Sequence, residues 1–164
     1  MRELRRRAPS LWVSVSATTR FPRPGEADGV HYLFVTDEQF DRLVADDDLL
    51  EWAEYSGHRY GTPRAPVEAV RSSGNPVLLE IEISGARQVR RAEPDAMLVF
   101  LAPPSREALV ARLTGRGTET DDLVAARLAR AEDELAAADE FDEVVVNDEV
   151  SEVVDRLVAL AFAS

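Results

Sequence analysis

Arg20 and Arg23 stand three residues apart in the stretch SVSATTRFPRPGEADGVHY, Ser14 to Tyr32, among the hydroxyls of Ser16, Thr18, Thr19 and Tyr32. Guanidinium forks flanked by hydroxyl donors suit a phosphate or a carboxylate, because each fork can give two parallel hydrogen bonds to an oxyanion. Pro22, Pro24, Gly25 and Gly29 break the stretch too often for a helix, and its polarity argues against a core strand. Residue types alone leave two readings open: an anion-binding loop, or a solvated loop carrying incidental arginines.

Carboxylates form the second group of candidates. Glu51 lies in LLEWAEYSGHRYGTP, and Glu80 and Glu82 occupy alternate positions of the apolar run VLLEIEI, so a strand there would point both to one face. Acids embedded in an apolar strand are less often accidental than exposed ones, and residue types alone leave a functional and an incidental reading of this pair open. Taken alone, Glu51 reads as a solvated strand carboxylate and Tyr60 as a half-buried packing residue. Arg112 and Arg127 have the spacing of solvated helix faces, whereas Arg116 sits isolated between Gly115 and Gly117.

Other chemistry is excluded. The chain has no cysteine, so it offers neither disulfide nor thiolate. His31 and His58 are its only histidines, too few for a histidine-based metal site without carboxylate help. All 19 basic side chains are arginine, so a step that requires lysine is beyond these residues alone. A formal net charge of -12 argues against nonspecific nucleic-acid or anionic-membrane binding, which need a positive face. No apolar run approaches the roughly 20 residues of a membrane span, and no apolar signal core follows the charged start, so a cytoplasmic protein is the expectation.

The elements that must position these residues follow from periodicity. Arg2 to Ala8 reads as helix, and Leu11 to Val15 as a short strand leading into the arginine loop. Val30 to Val35 reads as strand, and Thr36 with Gln39 forms a capping box for a helix whose inner face carries Phe40, Leu43 and Val44. Leu49 to Ser56 and Arg59 to Thr62 read as a hairpin turning at Gly57-His58. Pro63 and Pro66 open a helix ending near Gly74. Val77 to Ile83 and Met97 to Ala102, separated by a helix over Ala86 to Ala92, have the spacing of a parallel pair with a crossover. Ser105 to Thr114, Asp121 to Ala138 and Val150 to Phe162 read as helices, with Glu143 to Val146 a last strand. With 45% apolar and 30% charged residues, 164 residues make one α/β domain with a real core.

Six runs in order, SVSATTRFPRPGE, LLEWAEYSGHRYGTP, VLLEIEISGARQVR, APPS, RLTGRGTET and VVVND, span about residues 11 to 148 and resemble the guanylate kinases. The resemblance implies a P-loop kinase-type parallel sheet flanked by helices. It further implies a small mixed α+β acceptor subdomain over residues 16–75, core over 76–104 and 139–164, and a helical lid with its following helix over 105–138. It implies transfer of a phosphoryl group from ATP to GMP, giving ADP and GDP, with Mg²⁺ as cofactor. By the same resemblance Arg20, Arg23, Tyr32 and Tyr60 hold the acceptor phosphate, in a loop that also carries Glu26. Ser16, Glu51, Thr62 and Glu82 meet the guanine, where a carboxylate can accept from N1–H and the N2 amino group. Arg112, Arg116 and Arg127 match lid arginines that neutralise phosphate charge during transfer, and Asn147 matches a position beside the adenine of ATP. The chain departs from the family at Glu82, commonly aspartate, and at Ser84, where many members have glutamine.

The family's opening strand and its P-loop, G-x-x-x-x-G-K-[ST], are not among these 164 residues. The expectation is therefore a truncated form of a guanylate kinase-type enzyme. The 164 residues alone would show negligible turnover, with weak GMP binding if the acceptor subdomain folds. The alternative is a catalytically inactive module that binds a guanine nucleotide or a phospho-ligand.

Overall fold

A computed structural model describes the backbone of residues 1–114 and 131–163, with side chains described for residues 1–111 and 131–163. Chain contacts divide it into two compact units. One comprises Met1–Ala96 with Val158–Ser164, the other Met97–Leu157.

The first unit opens with α1 (Arg2–Arg7), whose last turn carries Arg5, Arg6 and Arg7, cations suited to the negative end of the helix dipole. Strand β1 (Trp12–Val13) runs parallel to β6 (Val77–Leu78). Between them the chain builds a four-stranded sheet in the order β3-β2-β5-β4. Its strands are β2 (Ala17–Thr18), β3 (Leu33–Phe34), β4 (Leu49–Tyr55) and β5 (His58–Pro63). Helix α2 (Asp37–Ala45) begins with the expected capping box, in which Gln39 N–H donates to Thr36 Oγ1 and Thr36 N–H donates to Gln39 Oε1. Phe40 on its inner face is fully buried and packs with Ala17 and Leu49, so the helix closes one face of the sheet.

Several sequence expectations shift. The arginine loop contains a strand after all: Ala17 and Thr18 are both fully buried in the interior of the sheet. A threonine is tolerable there because its hydroxyl accepts from the Arg20 N–H two residues on. The hairpin turns at Ser56-Gly57, one residue early, with φ of 52° and 75° at the two central residues. Two positive φ values in a two-residue loop are the type I′ geometry that matches strand twist.

The third shift concerns α4 (Ile83–Ala92), which starts three residues before the expected Ala86 and has Glu82 as its N-cap. The apolar run from Val77 therefore gives only a two-residue strand before the chain turns into helix. Helix α3 (Arg64–Ser72) begins after Pro63 and ends before Gly74, whose φ is +79°.

In the second unit, β7 (Val99–Ala102) pairs in parallel with β8 (Glu143–Val146). The expected pairing of the runs around Val77 and Met97 is thus replaced among the described residues by two parallel pairs, β1 with β6 and β7 with β8. Helix α5 (Arg106–Thr114) follows Ser105, whose Oγ accepts from Ala108 N–H as a cap should. Residues 131–136 are helical, and α6 (Val150–Ala161) closes the chain. Helices alternating with parallel strands make this an α/β fold, as the sequence predicted.

Candidate functional site

Glu51 is the side chain with least reason to be where it is. It lies on β4, the edge strand, yet is only 5% exposed, against the expectation of a solvated carboxylate. A register shift between Leu49 and Glu51 explains this: Leu49 pairs with Pro63 and Glu51 with Thr62, leaving Leu50 as the extra residue of a β-bulge. Leu49, Leu50 and Glu51 are then buried in succession, which regular alternation would forbid. Thr62 Oγ1, itself fully buried, donates to Glu51 Oε1 at 2.7 Å. Burial pushes the Glu51 carboxyl above its usual range; the Thr62 hydrogen bonds oppose that, and the nearby Glu82 charge adds to it.

A cavity of about 420 Å³ opens beside this carboxylate, within the first unit. The sequence-predicted Ser16, Arg20, Arg23, Tyr32, Glu51, Tyr60 and Glu82 all line it. Thr62 stands behind Glu51 and reaches the cavity through it.

Glu26 does not line the cavity but organises the arginines. Its Oε1 accepts from Arg20 Nη2 at 2.9 Å and its Oε2 from the Arg23 backbone N–H at 2.7 Å. Arg20 holds the Glu26 carboxyl below the usual glutamate range, and Glu26 in turn raises the Arg20 guanidinium. Arg20 also donates to the Phe21 carbonyl and lies 5.3 Å from the Tyr32 ring centre and 5.8 Å from that of Phe34. Tyr32 and Tyr60 meet edge to face at 6.0 Å. The result is a guanidinium fixed by a carboxylate, a carbonyl and two rings beside two phenols, an arrangement built for an oxyanion.

Sequence reasoning singled out neither Ser14 nor Tyr55, which also line the cavity, nor His31, whose Nδ1 accepts from Ala27 N–H. Ser14 Oγ is a buried hydroxyl with no hydrogen-bond partner among the described residues. Glu80, which shares a strand face with Glu82 by sequence, lines the cavity too. A paired polar alternation was the available signal for Glu80; for Ser14 and Tyr55 there was none.

In the second unit, Asn147 follows β8 directly, and its N–H donates to the Ala102 carbonyl at 2.7 Å. Arg112 belongs to α5, its side chain outside the described set, and Arg116 and Arg127 lie outside the described residues.

A cavity with a buried carboxylate and an anchored arginine–phenol cluster is what a nucleoside monophosphate presents in reverse: a polar base and a phosphate. The family described as Guanylate kinase matches residues 4–163. The chain belongs to the guanylate kinase family. It is 62% identical over 163 residues to a guanylate kinase of Thermobifida fusca, spanning 99% of this chain and 83% of that one. A guanylate kinase of Streptomyces coelicolor is 58% identical across 96% of this chain and 80% of its own. The crystal structure of guanylate kinase from Anaplasma phagocytophilum superposes with a TM-score of 0.80 at 32% identity, covering 97% of this chain and 77% of that one. The family is one of nucleoside monophosphate kinases, and membership in it implies GMP and ATP as substrates. No helix among the described residues is long and apolar enough to cross a membrane.

Proposed function

We propose that the cavity of the first unit is the GMP site of this guanylate kinase. The observation that carries the reading is Glu51, a carboxylate buried on a bulged edge strand and facing a cavity that Arg20, anchored from outside it by Glu26, also lines. A carboxylate there can accept from both N1–H and the N2 amino group of guanine. Adenine offers an acceptor at N1, which leaves the buried charge unmatched, so polarity rejects it.

In this proposal Ser16, Thr62 and Glu82 complete the base contacts, and Arg20, Arg23, Tyr32 and Tyr60 take the phosphate. Glu26 joins them by holding Arg20. Glu82 occupies the N-cap position of α4 without a side-chain capping bond, so the longer acid of this chain sits at a helix end rather than within a strand. Arg112, Arg116 and Arg127 enter as lid arginines, and Asn147 beside the adenine of ATP, both by family membership. The division into an acceptor subdomain over 16–75, a core over 76–104 and 139–164, and a lid segment over 105–138 is part of the same reading, as is a cytoplasmic location.

Among the described residues no group of three or more histidine, cysteine, aspartate or glutamate side chains is placed to hold a metal. In this reading Mg²⁺ would arrive on the phosphates of ATP, since this ion keeps several waters and takes few protein ligands. When bound it would supply charge neutralisation on the transferring phosphates. In this reading Glu51 orients the acceptor through its base, and Arg20 fixes the oxyanion end.

Calorimetric titration of the 164-residue protein with GMP and AMP tests the site. GMP is expected to bind at one site per chain and AMP at least tenfold more weakly, the cost of mispairing a buried polar group. Equal affinity for the two nucleotides would remove the base assignment, and binding insensitive to Arg20→Ala would remove the phosphate assignment.

A further inference from the structure

We infer that helix α4 sets the position of the Glu51 carboxylate through Gly85 and Gln88, and that these two positioning residues govern guanine selectivity without touching the nucleotide. The inference rests on the assignment of Glu51 to the base and extends it to a second element.

Gly85 is the first observation. It lies in the first turn of α4, is buried, and does not have the positive φ that would call for glycine on backbone grounds. Glycine in a helix is less favourable than alanine by about 1 kcal/mol, so its presence needs a packing reason. A Cβ built there would stand 2.3 Å from Glu51 Oε2 and 3.0 Å from its Cδ. The glycine therefore clears the space that one carboxylate oxygen fills, while Thr62 Oγ1 holds the other. The atom that an alanine would displace is the far end of a flexible side chain. The fold loses little by that displacement, and the ligand geometry loses its reference point.

Gln88 is the second. One turn along α4, its Oε1 accepts from Trp52 N–H at 3.2 Å and its Nε2 donates to the Trp52 carbonyl at 2.7 Å. Trp52 is the residue after Glu51 on edge strand β4, and its backbone groups turn away from β5. The Gln88 amide thus takes the place of a neighbouring strand and fixes the backbone on which Glu51 rides. Its Nε2 also donates to the Ser84 carbonyl of its own helix, which fixes the amide in turn. Together the two residues define the carboxylate from both ends, Gln88 through the main chain and Gly85 at the oxygen.

The test measures affinity for GMP and for ribose 5-phosphate, together with the thermal midpoint, in Gly85→Ala, Gln88→Met and Glu51→Gln. Gly85→Ala is expected to weaken GMP about tenfold or more, the scale of a mispositioned charged hydrogen bond. Ribose 5-phosphate, which has no base, should change by less than about twofold, and the midpoint should hold or rise because alanine favours the helix. Gln88→Met should weaken GMP several-fold with the same indifference to ribose 5-phosphate. In the Glu51→Gln background, Gly85→Ala should add almost nothing, since residues acting through one group are not additive. Equal losses for GMP and ribose 5-phosphate, or GMP binding unchanged in both α4 variants while Glu51→Gln weakens it, would overturn the inference alone. GMP binding unchanged in Glu51→Gln would overturn the base assignment and this inference with it.

Discussion

Thr62 Oγ1 donates to Glu51 Oε1 at 2.7 Å across the β4–β5 pair, and both residues are almost wholly buried. The hydroxyl partly offsets the burial of the carboxylate but does not cancel it, because the Glu51 carboxyl remains raised. A raised carboxyl binds its proton more tightly folded than unfolded. Its contribution to stability is complete below the ordinary glutamate value, near ~4.3, and is lost as pH rises through the raised folded value. Ionisation of Glu51 therefore works against folding. Glu51→Gln keeps an oxygen for Thr62 and removes the charge. It should raise the thermal midpoint at pH 7, with the difference from wild type closing as pH is lowered toward 4. The same variant should weaken GMP by roughly 1–3 kcal/mol, because an amide N–H then faces the donors of guanine. Scanning calorimetry across pH, with titration at pH 7, reads both.

Thr62→Val removes the donor and keeps the shape. It leaves Glu51 Oε1 buried without that partner, at a cost of about 1–3 kcal/mol in stability. In a Glu51→Met background the same substitution should be close to neutral, since no buried oxygen is then stranded. Urea unfolding of the two single variants and the double variant gives the coupling. A loss from Thr62→Val that persists undiminished beside Met at position 51 would mean that the hydroxyl serves something else.

How legible this was differs residue by residue. Thr36 and Gln39 announced their helix because a capping box is local chemistry, and the hairpin was visible in LLEWAEYSGHRYGTP because alternation and a glycine lie within reach of one another. The cavity-lining set was legible through the resemblance, and the polar residue types agreed with it. The burial of Glu51 was not, because it depends on a bulge whose register is set by the Leu49–Pro63 and Glu51–Thr62 pairs, fourteen and eleven residues apart in sequence. The Ala17–Thr18 strand was hidden for a similar reason. Two residues carry no periodicity, and only the neighbours β3 and β5 make them a strand.

Arg20 is held by Glu26, the Phe21 carbonyl and the Tyr32 and Phe34 rings. Lysine would preserve the charge and lose the planar fork, the stacking and the second hydrogen bond. Arg20→Lys is expected to weaken GMP on the order of tenfold. Glu26→Gln should act in the same direction more mildly, leaving Arg20 less tightly oriented. It should also make GMP affinity less sensitive to acid, because the Glu26 carboxyl, lowered by Arg20, loses its charge only well below neutrality. Its ion pair is present above the ordinary glutamate value and fails as pH falls through the lowered one. Titrations at pH 7 compare the affinities, and titrations carried below the ordinary glutamate value, ~4.3, compare the acid sensitivity. A Glu26→Gln protein whose affinity and pH profile match wild type would show that Arg20 needs no anchor.

The hairpin that carries both Glu51 and Tyr60 turns at Ser56-Gly57, and Ser56 has a φ of 52°. A side chain in the left-handed region is strained unless it can hydrogen-bond locally, and asparagine tolerates it better than serine. Asn-Gly is the favoured pair for a type I′ turn. Ser56→Asn is therefore expected to stabilise the protein by roughly 0.5 kcal/mol, since the native conformation is already the one the new residue prefers. Gly57→Ala, at φ of 75°, should destabilise it by about 1 kcal/mol because a Cβ is strained there even in open space. Neither position lines the cavity, so GMP affinity should stay within about twofold in Ser56→Asn. Thermal unfolding orders the three proteins as Ser56→Asn, wild type, Gly57→Ala. The reverse order would mean that the turn relaxes to another type in solution, which would move the register of β5 against β4 and with it the Thr62–Glu51 pair.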